Sequence, residues 1–373
     1  MIVTLVSTLC LSTQMPGLGL SQEAFEGIAT PRVLPPFNAD APHCTPPSGL
    51  KRTLLLLQDN ERQFMQGVSA GLVAAAADRG LEYRADLADN DSARMVRDAE
   101  RALAEATGAV VIAPVDPRAM RKPLQDILRS GSYVGAVVPP PATTILNAPQ
   151  YLTGRVLGDA AAAYIEQNLR GRARVVLLTH DSNQYLAPRF AGMRDALSRL
   201  PETSIVADIS PATVTRQGGR AMMESILVAQ PNVDVVLGAD TVVLGALDAL
   251  REAGKDRPDQ FLGGIDGEPD ALSEIEAGGP YKVTVSLASP IFAYAMGQHA
   301  ADWLEGRSIP QGMDILPKAL TAQNIEQYAA DVADPGSVFA DPDRRDSYLR
   351  MYGNICFDTR DQYLNFPWSS ERR

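Results

Sequence analysis

Residues 263–278, Gly-Gly-Ile-Asp-Gly-Glu-Pro-Asp-Ala-Leu-Ser-Glu-Ile-Glu-Ala-Gly, join an apolar strand to a helix through a carboxylate. Phe261, Leu262 and Ile265 form the apolar run, and Asp266-Gly267 ends it. Pro269 opens the helix, where its fixed φ is already correct and its missing N–H leaves nothing unpaired. Asp270 adds negative charge near the positive end of the helix. In a chain that alternates strands with helices, a carboxylate at a strand's end lies on the sheet's C-terminal edge, where open α/β sheets bind ligands. The same Asp266 also reads as a helix-capping residue in an ordinary turn, and the local spacing leaves both readings open.

The alternation extends in both directions. Arg52-Thr-Leu-Leu-Leu-Leu57 is a continuous apolar run of the kind found in a buried parallel strand. A helix is expected over 62–79, with Phe64, Val68, Leu72 and Ala75 on one face and Gly80 as its stop. Strands at 81–87, 109–112 and 133–138 then alternate with helices at 92–106 and 117–130. A second set of strands covers 174–178, 204–209, 233–237, 260–265 and 282–287. Its helices cover 154–168, 188–200, 218–229, 242–253, 270–277 and 291–305. Repeated β–α units of this length imply an α/β fold with parallel, doubly wound sheets, and two such sets imply two lobes with a cleft between them.

The chain has 373 residues, 45% hydrophobic and 21% charged, as in a soluble globular protein. A formal charge of -11 argues against nucleic acid or an anionic membrane surface as the main partner. The first charged residue is Glu23, and the apolar run from Ile2 to Leu11 is too short for a membrane span. Small residues follow at Gly17, Gly19 and Ser21, so residues 1–21 read as a secretory signal peptide, although no Lys or Arg precedes the apolar run. Residues 22–50 form a Pro-rich arm. Cys10 would leave with the signal, and Cys44 and Cys356 then remain as one disulfide in an exported chain, with two unrelated thiols as the alternative. Beyond about residue 330 the periodicity fades into a charged and then aromatic tail, 331–373, expected on the surface of a lobe.

Catalysis finds little support. The three histidines, His43, His180 and His299, have no partner at metal-ligand spacing, and no P-loop, GxSxG elbow, HExxH or GxGxxG is present. No metal, cofactor or catalytic residue is therefore expected. Binding is better supported, because strand ends deliver polar groups to one rim: Gln58-Asp59, Asp181-Ser182-Asn183, Asp240 and Asp266, with Arg189 at the start of a following helix. Carboxylates facing an Arg across a cleft suit a hydroxyl-rich ligand, which both accepts and donates hydrogen bonds. Each residue alone reads equally as a helix cap or a surface ion pair; their shared edge is what favours a site.

From about Arg52 to Leu320 the chain resembles the type I periplasmic binding proteins of the ribose/galactose class. The motifs are Val111-Ile-Ala-Pro-Val-Asp116, Arg189-Phe-Ala-Gly-Met193, Pro231-Asn-Val-Asp-Val-Val236, Asp240 with Leu244-Gly-Ala-Leu247, Gly264-Ile-Asp-Gly267 with Pro269-Asp270, and Gly297 with Leu304-Glu-Gly306. The resemblance implies two Rossmann-like lobes joined by three crossovers and closing by a hinge on a ligand. It places lobe 1 at 51–152 and 287–318, and lobe 2 at 153–286 and 319–330. It implies sugar-hydroxyl contacts from Arg189 and Asp266 and ring packing from Phe64, while Asp116 caps the helix at Pro117.

Several positions depart from the family's sugar-contacting set. Val138-Pro139 stands where Asp-Arg is common, Ala239 where an Asn precedes Asp240, and Leu287 near the hinge where a Gln is usual, with Ser286 and Ser289 beside it. Met65 replaces a second aromatic, and Arg62 a polar amide. Fewer donors favour a smaller, more apolar or anionic ligand, since unpaired sugar hydroxyls are costly. The expected ligand set is Gln58, Asp59, Arg62, Phe64, Asn183, Arg189, Asp240 and Asp266. The resemblance implies an exported, periplasmic solute-binding protein that delivers a small polar ligand to an ABC permease of the inner membrane. A periplasmic sensor signalling to a membrane kinase or chemoreceptor is the alternative. A DNA-binding repressor of this fold would need a basic helix-turn-helix before Arg52, where Arg32 is the sole Lys or Arg in residues 1–50.

Overall fold

A computed structural model describes residues 27–30, 32–137, 141–183 and 185–371. The expected signal peptide, the start of the arm, and the Val138-Pro139 departure lie outside the described residues.

The first set of elements runs β1 (Lys51–Gln58), α1 (Gln63–Arg79), β2 (Glu82–Leu87), α2 (Ser92–Ala104), β3 (Thr107–Ile112), α3 (Pro117–Arg129), β4 (Tyr133–Ala136) and β5 (Thr144–Asn147). The second runs α4 (Gln150–Asn168), β6 (Arg172–Leu178), α5 (Ala187–Leu197), β7 (Glu202–Ile209), α6 (Arg216–Ala229), β8 (Val235–Leu237), α7 (Asp240–Glu252), β9 (Phe261–Asp266), α8 (Pro269–Glu276) and β10 (Tyr281–Ser286). The chain continues through α9 (Ser289–Leu304), β11 (Gly312–Ile315), β12 (Lys318–Leu320), α10 (Ile325–Ala333), α11 (Pro335–Ala340), α12 (Pro342–Asp346) and β13 (Leu349–Tyr352).

Two sheets result. One has the order β13-β11-β5-β4-β3-β1-β2 and the other β12-β10-β9-β8-β6-β7. Pairing is parallel within both except at β11–β13 and β10–β12. This is the α/β, two-lobe, parallel-sheet architecture of the type I fold. Leu54, Leu55, Leu56 and Leu57 of β1 are at most 1% exposed, because a central parallel strand is covered by helices on both faces. Burying each such side chain stabilises the fold by about 1.5–3 kcal/mol.

The chain passes between the sheets at β5–α4, β10–α9 and β11–β12, and then a fourth time, because β13 returns to the first sheet. The tail therefore does more than lie on a lobe surface: it supplies an antiparallel strand to the sheet beside β11. The sequence reading also passes over β5. That strand is four residues long and follows a run of prolines, so it has no period of its own. The helix expected at 154–168 begins earlier, at Gln150, with Pro149 at its N-cap.

Helix α9 is buried on nearly every side, including His299 and Trp303. A helix covered all round needs partners on each face. Here α1 packs on one side and α10 and α11 on another, with the Phe339 ring 5.7 Å from Tyr294 and 6.1 Å from His299. Burial pushes the His299 imidazole down to about 3, so it stays neutral. The arm and tail are joined by the Cys44–Cys356 disulfide, with a Cα–Cα distance of 6.2 Å. Beside it the Cys44 N–H donates to the Gly306 carbonyl at 2.7 Å, and the Phe37 N–H donates to the Met351 carbonyl at 3.0 Å.

Candidate functional site

Three elements bring charged groups to the space between the lobes: the start of α1, the start of α5 and the end of β9. Asp266 is the last residue of β9 and takes φ +128°, a strained backbone for a residue with a side chain. A network beneath it holds that conformation. Asp240 Oδ1 accepts from the Tyr281 hydroxyl at 2.7 Å, and Oδ2 accepts from Thr284 Oγ1 at 2.7 Å and from the Glu268 N–H at 2.9 Å. Thr284 Oγ1 in turn accepts from the Gly267 N–H at 3.1 Å. Gly264 is required above this carboxylate, since a Cβ there would lie 1.8 Å from Asp240 Oδ1.

Asp240, one of the expected ligand contacts, is the acceptor at the centre of this network. It is fully buried, both of its oxygens are committed to internal partners, and none of them lies in the other lobe. Burial, reinforced by the nearby Asp266 charge, raises its carboxyl to about 7, against the opposing pull of its three hydrogen bonds.

Arg189 starts the buried face of α5 and is 6% exposed. Its Nε donates to Gln150 Oε1 at 2.8 Å, which aims the guanidinium from the side of α4. The two helices meet at Gly154, where a Cβ would lie 1.7 Å from the Arg189 carbonyl oxygen. Burial lowers the Arg189 pKa and the charge of Asp266 opposes that shift. Reciprocally, burial raises the Asp266 carboxyl, while Arg189 and then Arg62 pull it down. One carboxylate from β9 and guanidiniums from both lobes therefore share one field, in which Arg189 is buried and Asp266 and Arg62 are partly exposed.

Arg62 and Phe64 come from the first turn of α1 and its N-cap. The Arg62 guanidinium sits 5.4 Å from the Phe64 ring centroid, and its Nη1 donates to Asp59 Oδ2 at 2.6 Å. Phe64 packs on Phe292 at 5.9 Å and is 8% exposed. The structure brings Arg62, Phe64, Arg189 and Asp266 together. The remaining expected residues have local duties. Asp59 is the partner of Arg62, and Asn183 Oδ1 accepts from the Tyr185 N–H at 3.0 Å in an Asx-type turn. Asp181 is bound by Arg194, which also holds Asp208. Gln58 ends β1 half-buried, its carbonyl accepting from the Ala88 N–H at 2.9 Å.

Sequence reasoning passed over three residues here. Glu268 is 3% exposed, and its carboxyl rises to about 8 through burial and then the charges of Asp266 and Asp240. Gln63 of α1 crosses to the other lobe, donating through Nε2 to Asp270 Oδ1 at 2.9 Å. Tyr328 of α10 lies behind the Asp266 turn, its hydroxyl 3.0 Å from where a Gly267 Cβ would be. The alternation of carboxylates at 266, 268 and 270 was a usable signal for the first. Nothing in the sequence around α10 marks Tyr328. Separately, a cavity of about 420 Å³ lies against β12 and α10, but its central Asp331 is already held by Tyr348, Arg344 and Gln327.

Residues 54–308 match the periplasmic binding protein domain family. Among curated relatives, the ribose import binding protein RbsB of Bacillus subtilis is 26% identical over 262 residues, 66% of this chain and 79% of the relative. The xylitol-binding protein of Mycolicibacterium smegmatis is 24% identical over 288 residues, 75% of this chain and 79% of the relative. A solved ABC transporter solute-binding protein from Bacillus halodurans with bound myo-inositol shares the fold, with a TM-score of 0.66 and 20% identity over 76% of this chain and 99% of that one. By sequence and by fold, the chain belongs to the periplasmic binding protein domain family, whose members bind solutes for transporters and are not enzymes.

Proposed function

We propose that this chain is an exported, periplasmic solute-binding subunit of an ABC importer that captures a small hydroxyl-rich ligand between its lobes. The observation that carries the reading is the placement of Asp266 and the buried Arg189, each in the other's charge field, at the C-terminal edge of the second sheet, with Arg62 and Phe64 brought in from the first lobe. A carboxylate accepts from ligand hydroxyls, a guanidinium donates to them, and an aromatic edge covers an apolar ring face. Relatives whose names specify ribose import and xylitol binding support a pentose or pentitol as the first class to try. Gln58, Asp59 and Asn183 belong to the rim of the same site and contribute less than the central four residues, because their side chains or backbone already have local duties.

In this reading residues 1–21 are the export signal and 22–50 an arm. Lobe 1 comprises 51–152 and 287–318, and lobe 2 comprises 153–286 and 319–330. The tail 331–373 is pinned back onto lobe 1. Ligand entry favours closure, and the closed form docks on the permease. The sensor alternative is not favoured, since the relatives are import and binding proteins.

A thermal-shift screen of pentoses, hexoses, polyols and small organic acids tests the proposal, because a ligand that binds the native state raises apparent stability. The expected result is a saturable shift with a pentose or polyol that is abolished in Asp266→Ala and Arg189→Ala. A strong hit whose affinity survives both substitutions would place the ligand elsewhere.

A further inference from the structure

Two residues beside the site hold positive φ without being glycine: Asp266 at +128° and Ala288 at +47°. A side chain makes such a backbone costly, and it persists only where the surroundings impose it. Asp266 ends β9, while Ala288 is buried at the N-cap of α9, where the chain crosses from the second sheet to the first. Ser286 stands between them. It is paired with Asp266 in the β9–β10 register, and its Oγ accepts from the Ala288 N–H at 2.8 Å.

The hydroxyl of Tyr328, carried by α10, reaches the same point. A Cβ on Gly267 would lie 3.0 Å from the Tyr328 hydroxyl and 3.0 Å from Ser286 Oγ. The two hydroxyls therefore fill the side of Gly267 on which a side chain would project. Burial raises the Tyr328 hydroxyl above its ordinary pKa, and Ser286 opposes that shift. Helix α10 is itself held in place. Asp331, three residues after Tyr328, accepts from the Tyr348 hydroxyl at 2.5 Å, from Arg344 Nη2 at 2.7 Å and from Gln327 Nε2 at 2.9 Å. The Tyr348 carbonyl in turn accepts from the Leu316 N–H at 2.7 Å, and Lys318 Nζ lies 3.7 Å from its ring centroid.

We propose that Tyr328 and Ser286 are positioning residues of the ligand site: their hydroxyls form one node that holds the Asp266–Gly267 turn and the Ala288 crossover together in their strained conformations. The proposal deepens the reading above and rests on it for the ligand role of Asp266. Its consequence is coupling. One side chain, Ser286, touches both the turn that carries Asp266 and a crossover between the lobes, so a change at either is felt at the other. Thr284 and Asp240 hold the amides of Gly267 and Glu268, but neither reaches Ala288. The node supplies that link, and α10 secures it with a residue far along the chain.

The test needs no ligand. Hydrogen exchange on ligand-free protein reads residues 264–272 for the turn, 286–293 for the crossover and 172–178 of β6 as a reference. Tyr328→Phe keeps the ring and loses the hydroxyl. It should lower protection of the turn and of the crossover by about threefold to tenfold each, with β6 unchanged. Ser286→Ala should lower both by at least as much, and the double variant should lose no more than Ser286→Ala alone, because the hydroxyls act as a unit. Unchanged protection of turn and crossover in Tyr328→Phe would overturn the proposal. An equal loss in all three peptides would also overturn it, since that is general destabilisation and not positioning. If Ser286→Ala does not fold, Tyr328→Phe decides alone. Failure of the sugar screen would remove the ligand role of Asp266 and leave this measurement intact, so the two readings fail separately.

Discussion

The Asp240 carboxylate holds the Glu268 backbone N–H at 2.9 Å, tying the start of α7 to the turn that carries Asp266. The same oxygen accepts from Thr284 Oγ1 at 2.7 Å, and Thr284 holds Gly267. A wholly buried carboxylate thus organises the backbone around a strained neighbour without reaching the cleft. Removing it leaves three donors unsatisfied. Asp240→Ala should cost about 2–5 kcal/mol of stability, read from denaturant unfolding, and weaken any ligand that depends on Asp266.

The same residue sets a pH dependence of stability. Its carboxyl is raised from 3.8 to about 7 in the folded protein, so folding retains a proton that the unfolded chain releases. That contribution is complete below the unfolded value and is lost as pH rises through about 7. Melting temperature is therefore expected to fall between about pH 4 and about pH 7 from this site, and Asp240→Asn should flatten that segment of the profile. An Asn variant with the wild-type slope would exclude Asp240 as its source.

Asp266→Ala and Arg189→Ala are each expected to weaken the best ligand from the screen by about tenfold to a hundredfold, as loss of a charge-assisted hydrogen bond does. Titration calorimetry reads the effect directly. Arg189→Lys should be nearly as damaging, because Lys cannot keep the Nε bond to Gln150 while reaching the cleft.

Gly154→Ala tests the link from packing to site. The new Cβ would meet the Arg189 carbonyl oxygen at 1.7 Å, which is backbone and cannot swing away. A cost of about 1–3 kcal/mol is expected, with a parallel loss of ligand affinity as α5 is displaced. Unchanged affinity in a destabilised variant would show that Arg189 follows the ligand and not the helix crossing.

The Cys44–Cys356 bond closes a loop with a sequence separation of 312. Replacing both cysteines with Ser should destabilise the protein by about 2–5 kcal/mol. Protein lacking residues 1–21 should show no free thiol by mass spectrometry without reductant. Loss of the bond should also loosen β13, since the arm and tail hold one another along Phe37–Met351.

The alternation of apolar runs with amphipathic stretches was enough to read the two parallel sheets, because burial on both faces imposes it on every central strand. The positions of Arg189 near the start of α5 and of Asp266 at the end of β9 were legible for a similar reason: each sits at a fixed offset from a strand or helix end. Gly263–Gly278 supplied the scaffold, the turn and the charge. Which carboxylate of that segment faces what is a different matter. Asp240 and Asp266 both end or follow strands on the same edge, yet one is committed to Tyr281 and Thr284 and the other makes no such bond among the described residues, and only side-chain direction separates them. The return of the tail as β13, the burial of α9 beneath it and the meeting of Gln63 with Asp270 depend on contacts between residues far apart in the chain. Local periodicity records whether a residue is covered. It does not record by what, and in this protein the covering partners decide which charged groups are tied into the frame and which are left at the edge of the sheet.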